Sequence, residues 1–329
     1  VMGTWKVFVT RRLPAPAEEI LAAQCDVVFF EEDRPIGREE LLQGVRGVDG
    51  LISLLSDPID GEVMEAAGPQ LRVIANYAVG YNNIDVAEAT RRGILVTNTP
   101  GVLTEATADL AWALLMSVAR RVVEGDAFMR SGQFNGWSPT LLLGEEISGK
   151  TLGIVGFGRL GQAVARRAQG FNMRVLYFSR RRHPEAEAAL GAEYRELDQL
   201  LAESDVVSLH VPLTDQTHHL IGRRELELMK PNAILINVAR GPVVDEAALV
   251  EALKGGRLAG AGLDVYEAEP EMAPGLAELS NVVLLPHVGS ATHETRAKMA
   301  EMVATDLLDG LQGRRPAHLV NPEVWETKG

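Results

Sequence analysis

The 329-residue chain predicts an α/β protein of two doubly wound parallel-sheet domains, one inserted in the other. Three observations predict it. Short Val- and Ile-rich runs alternate with helix-like segments from end to end, as strand–helix repeats do. Most of these runs are apolar throughout rather than alternating, which suits strands covered on both faces. A glycine-rich turn from Gly156 to Gly161 stands in mid-chain, with room for a whole domain ahead of it.

In the first half, residues 6–10, 27–30, 50–53, 73–76 and 95–97 read as strands. Residues 17–23, 38–44, 60–67 and 85–92 read as helices, and Asn83 or Asp85 could cap the last. Thr97-Asn98-Thr99-Pro100-Gly101 is turn-rich and suits a hinge. Thr104, followed by Glu105, opens a long helix expected to reach Met129, with Leu110, Leu114 and Val118 on its buried face. Residues 131–149 read as loop and contain Gly136-Trp137-Ser138-Pro139. Strands are then expected over 151–156, 174–178, 206–211, 234–238, 262–265 and 282–286. A last helix over 291–311 carries apolar Met299, Met302, Val303 and Leu307 and falls outside the alternation, so it is expected to cross back to the first domain. The resulting boundaries are 1–101 with 288–329 for one domain and 102–287 for the other.

Bulk properties narrow the function. A net charge of −13 speaks against nucleic-acid and anionic-membrane partners. The single cysteine, Cys25, excludes an internal disulfide framework and a Cys-based zinc site; it precedes an apolar run and is expected to be buried and inert. No metal site is expected. No apolar run approaches the ~20 residues of a membrane span, and the start lacks a signal-peptide layout, so a soluble, cytoplasmic protein is the expectation.

The central turn has the makings of a dinucleotide site. Ile154-Val155 ends a strand, Gly156 makes the turn, Gly158 lets backbone approach a pyrophosphate, and Gly161 lets the following helix pack on the strand. Arg159 and Leu160 lie at the helix N-terminus, whose free N–H groups and dipole favour phosphate. A glycine-rich turn without a ligand would share this pattern. The next strand ends in Phe178-Ser179-Arg180-Arg181-Arg182, with no acidic residue to hold an unphosphorylated ribose. Ser179 and the guanidinium groups suit a 2′-phosphate, so NADP(H) is favoured and NAD(H) is possible. A solvated arginine run with NAD still used is the alternative. Val211-Pro212 borders the adenine or ribose, or is simply a strand end.

Three segments at C-terminal strand ends carry reactive chemistry: residues 237–241, 264–270 and 286–290. Ligands of open parallel sheets bind outside those ends. Arg240 offers a two-pronged donor for a carboxylate. His287 can exchange a proton near neutral pH. It stands out among seven histidines because Pro286 precedes it and Gly289-Ser290 follow; His183 and His318 read as exposed, and His210 as an internal strand residue. Glu269 could orient the His287 ring, with Glu267 competing for that role and Glu271 less so. Asp264 either contacts the nicotinamide ribose or amide, or caps a turn. No Tyr is followed four residues on by Lys, and there is no His-Glu-x-x-His, so rival dehydrogenase chemistries fit badly.

Over nearly its whole length the sequence resembles the D-isomer-specific 2-hydroxyacid dehydrogenase family, and within it the glyoxylate/hydroxypyruvate reductases. The motifs are residues 78–85, 104–109, 156–161, 237–244, 260–270 and 286–292, with Leu54 to Asp57, Trp137-Ser138-Pro139 and Tyr177 to Arg180 for the subfamily. The resemblance implies a Rossmann nucleotide domain inserted in a discontinuous, flavodoxin-like substrate domain. It assigns catalysis to Arg240, Glu269 and His287, and so selects Glu269 over Glu267. Val79 and Gly80 N–H groups would bind the substrate carboxylate, and Leu55 would line the pocket. Thr107, Arg159, Leu160, Ser179, Arg180, Arg181, Pro212, Val238, Asp264 and Gly289 would touch the dinucleotide. Trp137 matches a tryptophan that in animal reductases reaches the neighbouring subunit's active site, and a homodimer through the nucleotide domains follows by analogy. The implied reaction reduces glyoxylate or hydroxypyruvate with NAD(P)H, the domains closing about linkers near 97–102 and 286–290. Related activities on D-lactate, 2-ketogluconate or 3-phosphoglycerate, and a nucleotide-sensing, corepressor-like role, are the alternatives.

Overall fold

The computed structural model describes residues 4–327. The chain divides into two units, Val1–Leu103 with Ala291–Gly329, and Thr104–Ser290. In the first unit, β1 (Trp5–Val9), α1 (Ala15–Ala22), β2 (Cys25–Phe29), α2 (Arg38–Gly44), β3 (Gly50–Ser53), α3 (Gly61–Ala67), β4 (Val73–Asn76), α4 (Val86–Arg91) and β5 (Leu95–Thr97) follow one another. The second unit runs α5 (Thr104–Ala119), α6 (Val122–Arg130), β6 (Thr151–Val155), α7 (Arg159–Ala168), β7 (Arg174–Phe178), α8 (Pro184–Leu190), β8 (Ala192–Tyr194), α9 (Leu197–Glu203), β9 (Val206–Leu209), α10 (Arg223–Leu228), β10 (Ile234–Asn237), α11 (Glu246–Lys254), β11 (Gly260–Leu263) and β12 (Val282–Leu284). Then α12 (His293–Leu311) and α13 (Glu323–Glu326) complete the first unit.

The first unit holds a parallel five-stranded sheet in the order β2-β1-β3-β4-β5, the flavodoxin-like order. One core packs α1 and α12 against Val7, Val9, Ile52, Val73 and Leu95; the opposite core holds Phe8, Leu51, Ile74 and Val96 with α2 and α3. Successive strand residues thus serve opposite faces, which is why the runs are apolar throughout. Asp60 caps α3 through Val63 N–H, and Asp85 rather than Asn83 caps α4 through Glu88 N–H.

The second unit holds a parallel seven-stranded sheet, β12-β11-β10-β9-β6-β7-β8. Its order reverses at β6, which lies between β9 and β7. That is the Rossmann arrangement with one further strand, and its switch point falls at β6, which the glycine turn follows. Leu152, Ile154, Ile234 and Ile236 face α5 and α7, while Val155, Leu235 and Leu263 face α9, α10 and α11.

Four expectations need correction. The long helix to Met129 is two helices. Ala119 ends α5 because its carbonyl accepts Glu145 N–H at 2.8 Å from the returning loop, and Arg121 turns left-handed at φ 53°. The buried face of α5 is Ala108, Ala111, Trp112, Leu114, Leu115 and Ala119; Leu110 and Val118 are only half-buried. The seven-stranded sheet has an edge strand, β8, whose three residues include Glu193 and give too little apolar signal to read. Several strands stop before their apolar runs do, since Val238, Ala239, Val265 and Tyr266 are buried in loops at the sheet's C-terminal edge. The glycines of β11 explain its early start: a side chain at Gly262 would meet Leu114 and Ile236, so α5 packs directly on this strand.

Candidate active site

At the glycine turn each position has a distinct geometry. Gly156 has φ 97°, and a Cβ there would lie 2.6 Å from His210 O. A Cβ on Gly161 would strike the Gly156 carbonyl, so this glycine lets α7 rise directly off β6. Gly158, the N-cap of α7, faces open space and makes no side-chain cap. The first N–H groups of α7, at Arg159, Leu160 and Gly161, therefore face outward with no capping side chain, an arrangement that fits a pyrophosphate.

After β7 the three arginines differ. Arg182 pairs with Glu187 at 2.7 Å and covers the Tyr194 ring. Arg180 and Arg181 are exposed, and among the described residues no side-chain partner is seen for either. Ser179 Oγ lies 3.4 Å from both the Arg181 N–H and His183 Nε2. His183 is thus part of this corner rather than an exposed residue. His318 is also held, by buried Asp306 at 2.8 Å.

The reactive groups sit on consecutive loops of one sheet edge. Asn237 shapes the loop after β10, accepting Ala239 N–H and donating to Arg240 O, both at 3.0 Å. Arg240 is half-buried, with Nη1 donating to Ala239 O at 2.7 Å. Burial lowers the pKa of its guanidinium from the ordinary value, and the nearby Glu269 carboxylate opposes that. A side chain at Gly241 would overlap the Tyr266 backbone, so the loops after β10 and β11 touch directly here. Glu269 accepts Tyr266 N–H at 3.0 Å through one oxygen and faces His287 Nδ1 at 2.9 Å through the other. Burial pushes the Glu269 carboxyl up, but its bond to His287 and that ring's charge outweigh this and hold it below the ordinary value.

His287 has φ 54°, a left-handed conformation that costs a non-glycine residue about 1–2 kcal/mol. The next residues hold it there. Buried Asp264 accepts Val288 N–H at 2.7 Å and Gly289 N–H at 2.8 Å, and Thr107 donates to Gly289 O at 3.2 Å. Asp264 therefore caps the turn that follows His287. These bonds tie residues 288–290 to the second unit. Glu267 pairs instead with His219 Nε2 at 2.5 Å, and Glu271 is an exposed turn residue. His210 bonds Ser208 Oγ at 2.8 Å, and burial pushes its ring down to about 3, which leaves it neutral.

Of the other residues, Thr107 and Val238 are buried, Pro212 is exposed, and Leu55, Val79 and Gly80 lie in the first unit. There Asn76 donates to Gly80 O at 2.8 Å, and Asn83 donates to Leu54 O at 2.9 Å and Asp57 O at 3.0 Å. These two amides tie the Leu55 loop to the Val79–Gly80 loop. Asn237 and Gly241 also shape the site; the sequence placed both in the 237–241 segment but gave neither a role of its own.

A histidine–carboxylate pair near a half-buried arginine, at the C-terminal edge of a Rossmann sheet, fits a nicotinamide-dependent dehydrogenase. The chain belongs to the D-isomer-specific 2-hydroxyacid dehydrogenase family: residues 112–289 match the family model described as "D-isomer specific 2-hydroxyacid dehydrogenase, NAD binding domain". It is 57% identical over 327 residues to a glyoxylate reductase of Thermococcus gammatolerans, covering 98% of both chains. Its structure is similar to the TT0316 protein of Thermus thermophilus, with TM-score 0.91, 50% identity, and 96% and 99% of the two chains covered. It also resembles an NADPH-dependent glyoxylate/hydroxypyruvate reductase of Sinorhizobium meliloti in complex with NADP and malonate, with TM-score 0.84, 34% identity and 97% of each chain covered.

Proposed function

We propose that the chain reduces glyoxylate to glycolate, and hydroxypyruvate to D-glycerate, with NADPH preferred to NADH. The observation that carries the reading is the His287–Glu269 pair beside Arg240, in a chain alike over its full length to glyoxylate reductases. The dinucleotide would lie on the α7 N-terminus, beside Gly158, Arg159 and Leu160, with Thr107, Pro212, Val238, Asp264 and Gly289 along its length. Ser179, Arg180 and Arg181 would hold a 2′-phosphate, and the exposed guanidinium groups of Arg180 and Arg181, without a side-chain partner among the described residues, support the NADP preference. When bound, the reduced nicotinamide supplies hydride to the carbonyl carbon. Arg240 anchors the 2-oxo acid, with Val79 and Gly80 N–H groups on its carboxylate and Leu55 against its side. His287 donates Nδ1–H to Glu269 and gives its Nε2 proton to the carbonyl oxygen as the alkoxide forms. Glu269 stabilises the imidazolium that must precede this transfer.

A homodimer is part of the same reading. Trp137 is 84% and Leu143 65% exposed in the loop after α6, and Val122, Val123, Met129 and Phe134 are exposed nearby. An apolar set of this kind supports a subunit interface in the nucleotide unit. No helix among the described residues is long and apolar enough to cross a membrane. The test of the reaction is a panel of glyoxylate, hydroxypyruvate, pyruvate and 2-ketogluconate, each with NADPH and NADH. Glyoxylate and hydroxypyruvate with NADPH should be fastest; fast pyruvate beside slow glyoxylate overturns the substrate assignment, and faster NADH the cofactor assignment.

A further inference from the structure

The second residue of the Asp245-Glu246 pair is a carboxylate that the reaction does not use. Glu246 is 4% exposed, at the start of α11. An acidic residue there is ordinarily an exposed complement to the helix dipole. Here the capping is done by its neighbour, since Asp245 accepts Ala248 N–H at 3.0 Å. The Glu246 carboxylate points away from its own helix. Oε2 accepts Glu267 N–H at 2.7 Å and Oε1 accepts Ala273 N–H at 2.6 Å. In return Glu246 N–H donates to Glu267 Oε2 at 3.2 Å, while Glu267 Oε1 meets His219. The 267–273 loop is thus held at both ends by one buried carboxylate, and Glu269 lies between those ends.

The neighbouring His218–His219–Glu267 group has its three ligand atoms within 4.8 Å. Its imidazoles are stacked with 27° between their planes. Lone pairs lie in the ring planes, so rings so nearly parallel do not aim at one ion. Glu267 is already shared between His219 and the Glu246 N–H. The group belongs to the loop clamp.

We infer that Glu246 is a positioning residue: through the Glu267 and Ala273 N–H groups it sets the loop that presents Glu269 to His287. This rests on the proposed roles of Glu269 and His287. A carboxylate is suited to the task because it accepts two N–H bonds in fixed directions, each stronger than a neutral acceptor would make. An amide keeps the volume but turns a donor toward one of the two N–H groups.

The test uses the full chain with NADPH and glyoxylate. Glu246→Gln should lower kcat about ten- to hundredfold while NADPH affinity, read by cofactor fluorescence, stays unchanged. The fall in rate with rising pH should move to lower pH, as in Glu269→Gln, and the double variant should be no slower than Glu269→Gln alone. A pH profile like the parent's, or rate losses that multiply in the double variant, would show Glu246 to be merely structural and overturn the proposal. Ala273→Pro removes one donor and leaves the carboxylate, and decides the matter if Glu246→Gln does not fold; an unshifted profile there overturns it too. If single variants of His287 and Glu269 leave glyoxylate reduction intact, the proposed function and this inference fall together, a result seen before Glu246 is touched.

Discussion

At the level of single residues, chemistry was more legible than conformation. Arg240 and His287 could be named because few residue types bind a carboxylate or move a proton near neutral pH, whereas Glu269 was separated from Glu267 only by the family resemblance. The left-handed φ of His287 had no sequence signal, and for Asp264 a turn cap, in which it accepts Val288 and Gly289 N–H, was only one of two readings, because both depend on where β11 and β12 end. Two outcomes follow at this scale. His287→Ala should cut kcat for glyoxylate about 10²- to 10⁴-fold with NADPH binding retained, as measured by steady-state rates and cofactor titration. Reduction consumes the imidazolium proton, so the rate falls as pH rises. The bond to His287 and that ring's charge hold the Glu269 carboxyl below the ordinary value, so a carboxylate faces Nδ1 at 2.9 Å. Removing that charge in Glu269→Gln should shift the fall to lower pH; a shift to higher pH would contradict the pairing.

Among elements, strand positions were legible because strands buried on both faces must be apolar, and helix starts because Asp60, Asp85 and Thr292 each cap their own helix. Ends were harder. The α5–α6 break is set by Glu145, distant in sequence, taking the Ala119 carbonyl, and β8 is recognisable only by its pairing with β7. Loops that touch through glycine are the sharpest case. Gly241 follows Arg240, and its lack of a side chain lets the Arg240 loop lie on the Tyr266–Glu267 backbone. Gly241→Ala should destabilise the protein by about 1–3 kcal/mol, read as a lower denaturation midpoint, and should lower kcat by displacing Arg240. An unchanged midpoint would show that the two loops can separate freely.

For the whole molecule, two predictions concern partners. Arg180→Ala with Arg181→Ala should lower kcat/KM for NADPH about 10- to 100-fold and change that for NADH little, because charge-assisted bonds to a 2′-phosphate are lost while the common contacts remain. Equal losses with both cofactors would mean that the arginines read something other than the phosphate. Trp137→Ala with Leu143→Asp should convert a dimer, measured by light scattering, into monomers; a monomeric parent protein would remove the basis for that interface. By itself the sequence determined two parallel α/β units, a dinucleotide turn and the reactive side chains, because these depend on local periodicity and on residue chemistry. The tertiary structure alone decided how Glu269 is held against His287, which arginines lack a side-chain partner among the described residues, and which glycines bring loops together. Those outcomes depend on strand ends and packing between segments far apart in the chain, and no local pattern records them.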